Sequence, residues 1–418
     1  MKALLLILLA LPMPAQRIAG TAKIRGAAHL GAQITPPMGW NSWYDLYNNN
    51  GGSGGLSSFP NEAEIKANAD GLVSGGYLAL GYRLVTIDDG WNQRTSGTMV
   101  AIPSKFPDGA AYMATYIHAN HELAGFYSSP NTNTCGGLNP GSLTFESADA
   151  ASFASYGADW LKYDECPPPT TGQTEFTTMG TALASSGRKI LFDINDADTA
   201  APSWLVSAEG SSIRIGNDNG STTVDAKSYG TNWASFSPYQ SKGHWLDPDV
   251  LMGGLRENNS GGGNTGGNAV TDVEACTQFA HYTILAAPLI IGNAVANLDA
   301  TVKGCYQNTE LIGVDQDSLG TMGARISQVT CGSTFCEVWL RSIKDNCGAL
   351  TTCYAIELVN RDTTGAHSIS TTWSALGIAA GTYNIRDLIA HASAGTSSSG
   401  YTATSIPAFT AEIVKLTQ

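Results

Sequence analysis

The chain has 418 residues, more than one domain of ordinary size, although an α/β barrel alone takes about 250. Its 22 Lys and Arg against 35 Asp and Glu give a formal net charge of -13, which argues against a nucleic acid or an anionic membrane surface as partner and fits a neutral ligand. Charged residues are 14% of the chain while Gly, Ser, Thr and Asn abound, a pattern of polar uncharged loops that suits an exported protein better than a disordered one.

Met1-Lys2-Ala3 is followed by the apolar run Leu4 to Leu11 and by Pro12, with small residues near Ala15. One early positive charge ahead of an apolar stretch too short to span a bilayer is the form of a signal peptide, placed here over residues 1–16. No later stretch has the uninterrupted apolar length of a membrane helix, so the mature chain is expected to be secreted or periplasmic.

From about residue 33 to 320, short apolar segments alternate with longer helical ones. The strand-like segments, in order, are Met38 to Trp43, Tyr82 to Asp89, Ala124 to Tyr127, Trp160 to Asp164, Lys189 to Asn195, Ser212 to Asp218, His244 to Asp249 and Pro288 to Asn293. A helix is expected from Asn61 to Leu80, where Ile65, Ala69 and Leu72 recur at helical spacing behind Asn61 as N-cap. About eight strands with crossover helices specify a (β/α)8 TIM barrel. After residue 321 the pattern turns to alternating β-rich runs such as Cys336 to Leu340 and Tyr354 to Val359, which predicts a C-terminal antiparallel β domain over 321–418.

Eight cysteines in an oxidising compartment are expected to pair. Cys331/Cys336 and Cys347/Cys353 are spaced to staple hairpins, and Cys135 and Cys166 each follow a predicted strand.

The strand segments run from apolar residues into Asp, Asn or Tyr, and in a barrel those C-terminal ends gather at the catalytic face. Asp88-Asp89, Asp164, Asp218 and the Asp247-Pro248-Asp249 turn all sit there. Two carboxylates across a glycosidic bond are what its hydrolysis needs, one to attack or activate water and one to protonate the leaving oxygen. Trp40, Trp43, Trp91, Tyr127 and Trp245 are candidates to stack on a sugar. Lys162 shares a strand face with Asp164, so its ammonium is expected to keep that acid ionised, and Arg214 stands four residues before Asp218. Other motifs fail on context. Gly261 to Gly266 matches a dinucleotide fingerprint but sits in an Asn/Gly-rich loop; His118 and His121, read as surface residues of one helix, lack the acid of a zinc-hydrolase helix; and no nucleophile-elbow motif is present.

Together these motifs resemble glycoside hydrolase family 27, which includes α-galactosidases and α-N-acetylgalactosaminidases. The likeness runs from Thr35 to Trp43 through Ile87-Asp88-Asp89-Gly90-Trp91, Leu161 to Cys166 and Asp247-Pro248-Asp249 to Val314 to Gly320. It implies a barrel followed by a β-sandwich. It further implies Asp164 as nucleophile and Asp218 as acid/base, protonated at rest through burial and the charge of Asp164. Asp88 and Asp89 then grip the sugar's 4- and 6-hydroxyls, Trp43, Tyr127 and Lys162 complete the pocket, Arg214 and Asp249 make further sugar contacts, and Cys135 pairs with Cys166 beside the site. No metal or organic cofactor enters this scheme, and the partner is an oligosaccharide or polysaccharide; the oligomeric state stays open.

The chain departs from the family after the fifth strand. Where the galactosidases usually carry Cys-Glu-Trp and an aromatic-rich loop reading the sugar's 2-position, it has Ile194-Asn195-Asp196-Ala197-Asp198, so Asn195 is the candidate contact there. Glu165 replaces a small or amide residue and is expected to alter the rim. The leading expectation is a secreted retaining exo-α-glycosidase, most simply an α-galactosidase. The alternatives are an isomalto-dextranase-like or β-L-arabinopyranosidase-like enzyme, or more remotely a non-catalytic sugar-binding barrel, which would have lost a carboxylate that this chain keeps.

Overall fold

A computed structural model describes residues 35–45, 59–137, 139–166, 173–195, 204–216, 218–219, 233–254 and 270–418. The expected signal peptide, the Gly261 to Gly266 run and the Asp196 to Asp198 segment lie outside them.

All eight strand-like segments form strands: β1 (Met38–Asn41), β2 (Leu84–Ile87), β3 (Leu123–Ser128), β4 (Trp160–Asp164), β5 (Leu191–Asn195), β6 (Ser212–Arg214), β7 (Trp245–Asp247) and β8 (Leu289–Ile291). They pair in parallel in the order β8-β1-β2-β3-β4-β5-β6-β7. Past β7, Leu251 bonds to β8, its N–H reaching Ile290 O at 2.7 Å and its carbonyl accepting from Gly292 N at 3.0 Å, and so closes the ring. Gly39 is required in β1, because a Cβ there would stand 2.1 Å from the Leu84 carbonyl oxygen of β2.

Helices cover the outside: α1 (Glu62–Ser74), α2 (Gly109–Ala119), α3 (Glu146–Tyr156), α4 (Gln173–Ser185), α5 (Asp272–Leu285), α6 (Ala300–Tyr306) and α7 (Thr309–Asp315). Asn61 caps α1 by accepting from Glu64 N, and Ile65, Ala69 and Leu72 are its buried stripe, as the spacing requires. The helix is shorter than expected. It stops at Ser74 because Gly75 and Gly76, the latter at φ 83°, turn the chain before a separate 3-10 turn at Leu78–Leu80. His118 and His121 do not share a helix either: α2 ends at Ala119 with Asn120 as its cap, and His121 takes φ 66°. His118 is half-buried against Asp159 at 2.7 Å rather than a free surface residue, while His121 is exposed.

The C-terminal strands are β9 (Ala324–Cys331), β10 (Thr334–Ile343), β11 (Cys353–Asn360), β12 (His367–Thr372), β13 (Tyr383–Asp387), β14 (Ala392–Ser397), β15 (Gly400–Ile406) and β16 (Thr410–Thr417). Six form an antiparallel sheet in the order β9-β10-β11-β16-β13-β14, and β12 pairs with β15 across a core that includes Ile356, Leu358, Ile369, Trp373, Tyr383 and Leu416. Helix α5 joins the two regions. Thr277 Oγ1 donates to Phe409 O at 2.8 Å, His281 Nδ1 meets Glu357 at 2.7 Å, and Arg341 Nη1 donates to Thr283 O at 2.5 Å. Four disulfides link Cys135–Cys166, Cys276–Cys305, Cys331–Cys336 and Cys347–Cys353, so both spacing-based pairs and the pair implied by resemblance are present. Among the described residues no helix is long and apolar enough to cross a membrane.

Candidate active site

Parallel strands side by side turn the residues at matching register to one face. Here that rule gathers the ends of β1 to β7. Asp164 ends β4 directly beside Asn195 of β5, and Tyr127 of β3 lies on its other side. Asn195 Nδ2 donates to Asp164 Oδ1 at 2.5 Å and Tyr127 OH donates to Oδ2 at 2.9 Å. Desolvation by the barrel wall pushes the Asp164 carboxyl up to about 7, the fields of Asp218 and Asp88 add to this, and Lys162 and Arg214 oppose it.

Lys162 shares the strand face of Asp164 but bonds another acid. Its ammonium reaches across to β2 and donates to Asp88 Oδ2 at 2.9 Å, forming an ion pair with little exposure on either side. Its charge favours the ionised form of Asp164 but is outweighed by burial, which corrects the expectation that Lys162 keeps that acid ionised. Burial pulls Lys162 down, yet Asp88 and Asp164 together hold it well above the ordinary lysine range. Asn41 Nδ2 also donates to Asp88 Oδ2, at 2.7 Å, while its Oδ1 accepts from Trp43 N at 2.8 Å.

Asp89 is fixed by backbone N–H groups: Gly90 donates to Oδ1 at 2.6 Å and Gly136 to Oδ2 at 2.7 Å. Burial nevertheless leaves its carboxyl above the usual range. Gly136 follows Cys135, and Cys166 lies two residues past Asp164. The Cys135–Cys166 bridge therefore ties the loop that holds Asp89 to the strand that carries Asp164.

On the far side, Arg214 Nη2 donates to Asp218 Oδ1 at 2.8 Å and stands 3.2 Å from Asp249 Oδ2. The Asp218 side chain is 50% exposed. Partial burial would raise its carboxyl, but the charge and hydrogen bond of Arg214 win and hold it below the usual value. This corrects the expectation that burial keeps Asp218 protonated here. Asp249 is buried at φ 82°, a strained conformation for a residue with a side chain, and accepts from Asn219 N at 2.7 Å. It braces Arg214 and the Asp218 turn.

Of the five aromatic candidates, Trp40, Trp91 and Trp245 are core. Trp43 is half-buried at the mouth, and Tyr127 is buried with its hydroxyl on Asp164. Glu165 is buried as well, which corrects its expected place on the rim: it alternates to the face opposite Asp164.

Sequence reading passed over three residues of this site. Asn41 serves both Asp88 and Trp43. Asp193 of β5 is buried, accepts from Ser212 Oγ and is pushed up to about 6 by burial. Lys105 is buried, donating to Gly90 O at 2.6 Å and Phe59 O at 3.0 Å; burial lowers it to about 8 while the field of Asp89 opposes that. A polar residue inside an apolar strand was the signal for Asp193; Lys105, in an irregular loop, gave none.

Comparison with known proteins fits this geometry. A family model described as alpha galactosidase A matches residues 35–204 and 221–317, and a second, described as the alpha galactosidase C-terminal beta sandwich domain, matches 334–416. The chain belongs to the α-galactosidase family. Within this family of glycoside hydrolases, an α-galactosidase of Cyamopsis tetragonoloba is 33% identical over 372 residues, covering 88% of this chain and 82% of the relative. The crystal structure of α-galactosidase I from Mortierella vinacea superposes with a TM-score of 0.77 at 28% identity, covering 93% of this chain and 98% of that one. A β-L-arabinopyranosidase of Geobacillus stearothermophilus reaches a TM-score of 0.78 at 18% identity, over 94% and 99% of the two chains, a likeness of fold alone. The α-galactosidase family thus agrees with the barrel and the sandwich read from the strand pattern.

Proposed function

We propose that this protein is a retaining, exo-acting α-galactosidase that removes terminal α-galactosyl residues from an oligosaccharide or polysaccharide outside the cytoplasm. The observation that carries the reading is Asp164: a strand-end carboxylate at the barrel mouth, held by Tyr127 and Asn195, with Asp218 on Arg214 within its field. Asp164 attacks the anomeric carbon while Asp218 gives its proton to the departing glycosidic oxygen, leaving the sugar bound to Asp164 through an ester. Asp218, now ionised, takes a proton from water; the water oxygen attacks the same carbon and the bond to Asp164 breaks. Two inversions return the α configuration.

That sequence needs a proton on Asp218 and the charge on Asp164. A sugar seated over the exposed half of Asp218 removes water from it and raises its carboxyl, which moves the proton to the acid that must donate it. Asp88 and Asp89 are the proposed grips for the 4- and 6-hydroxyls, with Trp43 as the stacking face. Four disulfides support folding in an oxidising compartment.

The test is initial rates on nitrophenyl α-galactoside, α-N-acetylgalactosaminide, β-L-arabinopyranoside and α-glucoside, with isomalto-oligosaccharides alongside. The α-galactoside should dominate, and Asp164→Asn should lower its turnover by at least about 10³-fold with the fold intact. Turnover that survives Asp164→Asn, or activity confined to isomalto-oligosaccharides, overturns the proposal.

A further inference from the structure

We infer that Asn195 is a positioning residue for the nucleophile, taking the place of a contact to the sugar's 2-position; this rests on the reading of Asp164 as nucleophile. Strand register puts the two residues opposite each other on β4 and β5, and the backbone repeats the pairing, since Glu165 N donates to Asn195 O at 2.9 Å. The side-chain amide then spends its N–H on Asp164 Oδ1 at 2.5 Å. The amide nitrogen is the donor in this contact, and an ionised carboxylate accepts such a bond more strongly than a neutral acid does, so the bond favours the charged form.

The surroundings make that donor matter. Lys162, the cation on the same strand, bonds Asp88, and Arg214 bonds Asp218. Asp164 is left with two neutral donors, Tyr127 from β3 and Asn195 from β5. The charges facing it are Lys162 of β4, Arg214 of β6, Asp218 after β6, Asp88 after β2 and Asp193 of β5. Cations and anions both act through space, so losing one short bond changes the balance directly. A carboxylate at position 195 would add a like charge to an acid already hard to ionise. An amide is the side chain of that length that donates without adding charge.

The experiment compares Asn195→Ala and Asn195→Asp with the native enzyme in kcat/KM against pH on an α-galactoside. Removing a donor from the ionised form raises the Asp164 pKa, so the acid limb should move to higher pH by about one unit in Asn195→Ala, with kcat reduced ~10-fold to ~100-fold. Asn195→Asp keeps the shape and adds the charge, and should move the limb further. The rate at which an activated fluoroglycoside forms the covalent sugar ester should show the same displacement. A limb that stays in place while KM alone rises makes Asn195 a sugar contact and overturns the inference, leaving the α-galactosidase reading intact. If the native protein turns over no α-galactoside, that reading fails by itself. NMR titration of the Asp164 carboxyl carbon then decides the hydrogen bond: a midpoint equal in native and Asn195→Ala proteins overturns it.

Discussion

Glu122 offers a measurement of what an unpaired acid costs this barrel. It precedes β3 at the end of the barrel away from the mouth and is 2% exposed, and neither carboxylate oxygen has a partner in good hydrogen-bond geometry. Burial raises its carboxyl from 4.5 to about 8, the nearby Asn120 amide easing part of that and Asp70 adding to it. Below about pH 4.5 the folded and unfolded chains both carry the proton, and the group contributes nothing to the pH dependence. Between about 4.5 and 8 the unfolded chain releases it while the folded chain keeps it, so stability falls as pH rises, and above 8 the loss is complete. At about 1.4 kcal/mol per pH unit the full loss is about 5 kcal/mol, and relaxation of the site brings the expected figure to about 2–4 kcal/mol. Glu122→Gln keeps the shape and cannot ionise. Thermal unfolding of both proteins should give similar midpoints at pH 4.5 and a midpoint several degrees higher for the variant at pH 9, with unchanged turnover at neutral pH. A difference of the same size at both pH values would refute the reasoning, because packing and not charge would then explain it.

Two further outcomes follow from the site. Lys162→Met leaves Asp88 buried without its cation and deprives Asp164 of the charge that most favours its ionised form; it should cost about 3–5 kcal/mol in kcat/KM, roughly a 10²- to 10⁴-fold loss, and shift the acid limb upward. A limb that does not move would exclude the field of Lys162 as a cause. Replacing the bridge by Cys135→Ser with Cys166→Ser frees the loop whose Gly136 N–H holds Asp89, so KM for an α-galactoside should rise about tenfold with a smaller change in kcat. Equal KM values would mean that the loop holds Asp89 without the disulfide.

The barrel was legible because each strand joins an apolar run to a polar end, and the Asp164 segment shows why: its apolar residues face core or neighbouring strands while its last residue enters the mouth. Elements whose limits depend on glycine were harder, as the early end of α1 shows. The hairpin of Asn92–Thr95 with Thr98–Ala101 escaped notice altogether, although Ser96-Gly97 is a turn signal and both residues take positive φ. At the site, residue identities were readable and partners were not. The spacing of Lys162 and Asp164 shows a common face, but the choice of Asp88 depends on how far a lysine reaches across β3 in a closed ring. Asn195 was legible as a departure from the family. What its amide bonds to comes from register between strands, which no local pattern contains.

The site is short of cations, and that shortage explains much of its arrangement. Apart from Lys105 beside Asp89, the cations Lys162 and Arg214 face six acids among the described residues, Asp88, Asp164, Asp193, Asp218, Asp247 and Asp249. Burial and mutual repulsion therefore keep protons on the most enclosed of these acids to higher pH than on a free carboxylate. The ion pairs decide where. Lys162 claims Asp88 and Arg214 claims Asp218, while burial, in spite of both cations, leaves Asp164 and Asp247 at about 7 and Asp193 and Asp249 at about 6. A double displacement needs one proton that changes owner twice per turnover. An interior whose acids titrate near neutrality supplies it at small cost, and the neutral donors on Asp164 then determine how readily that acid gives its proton up.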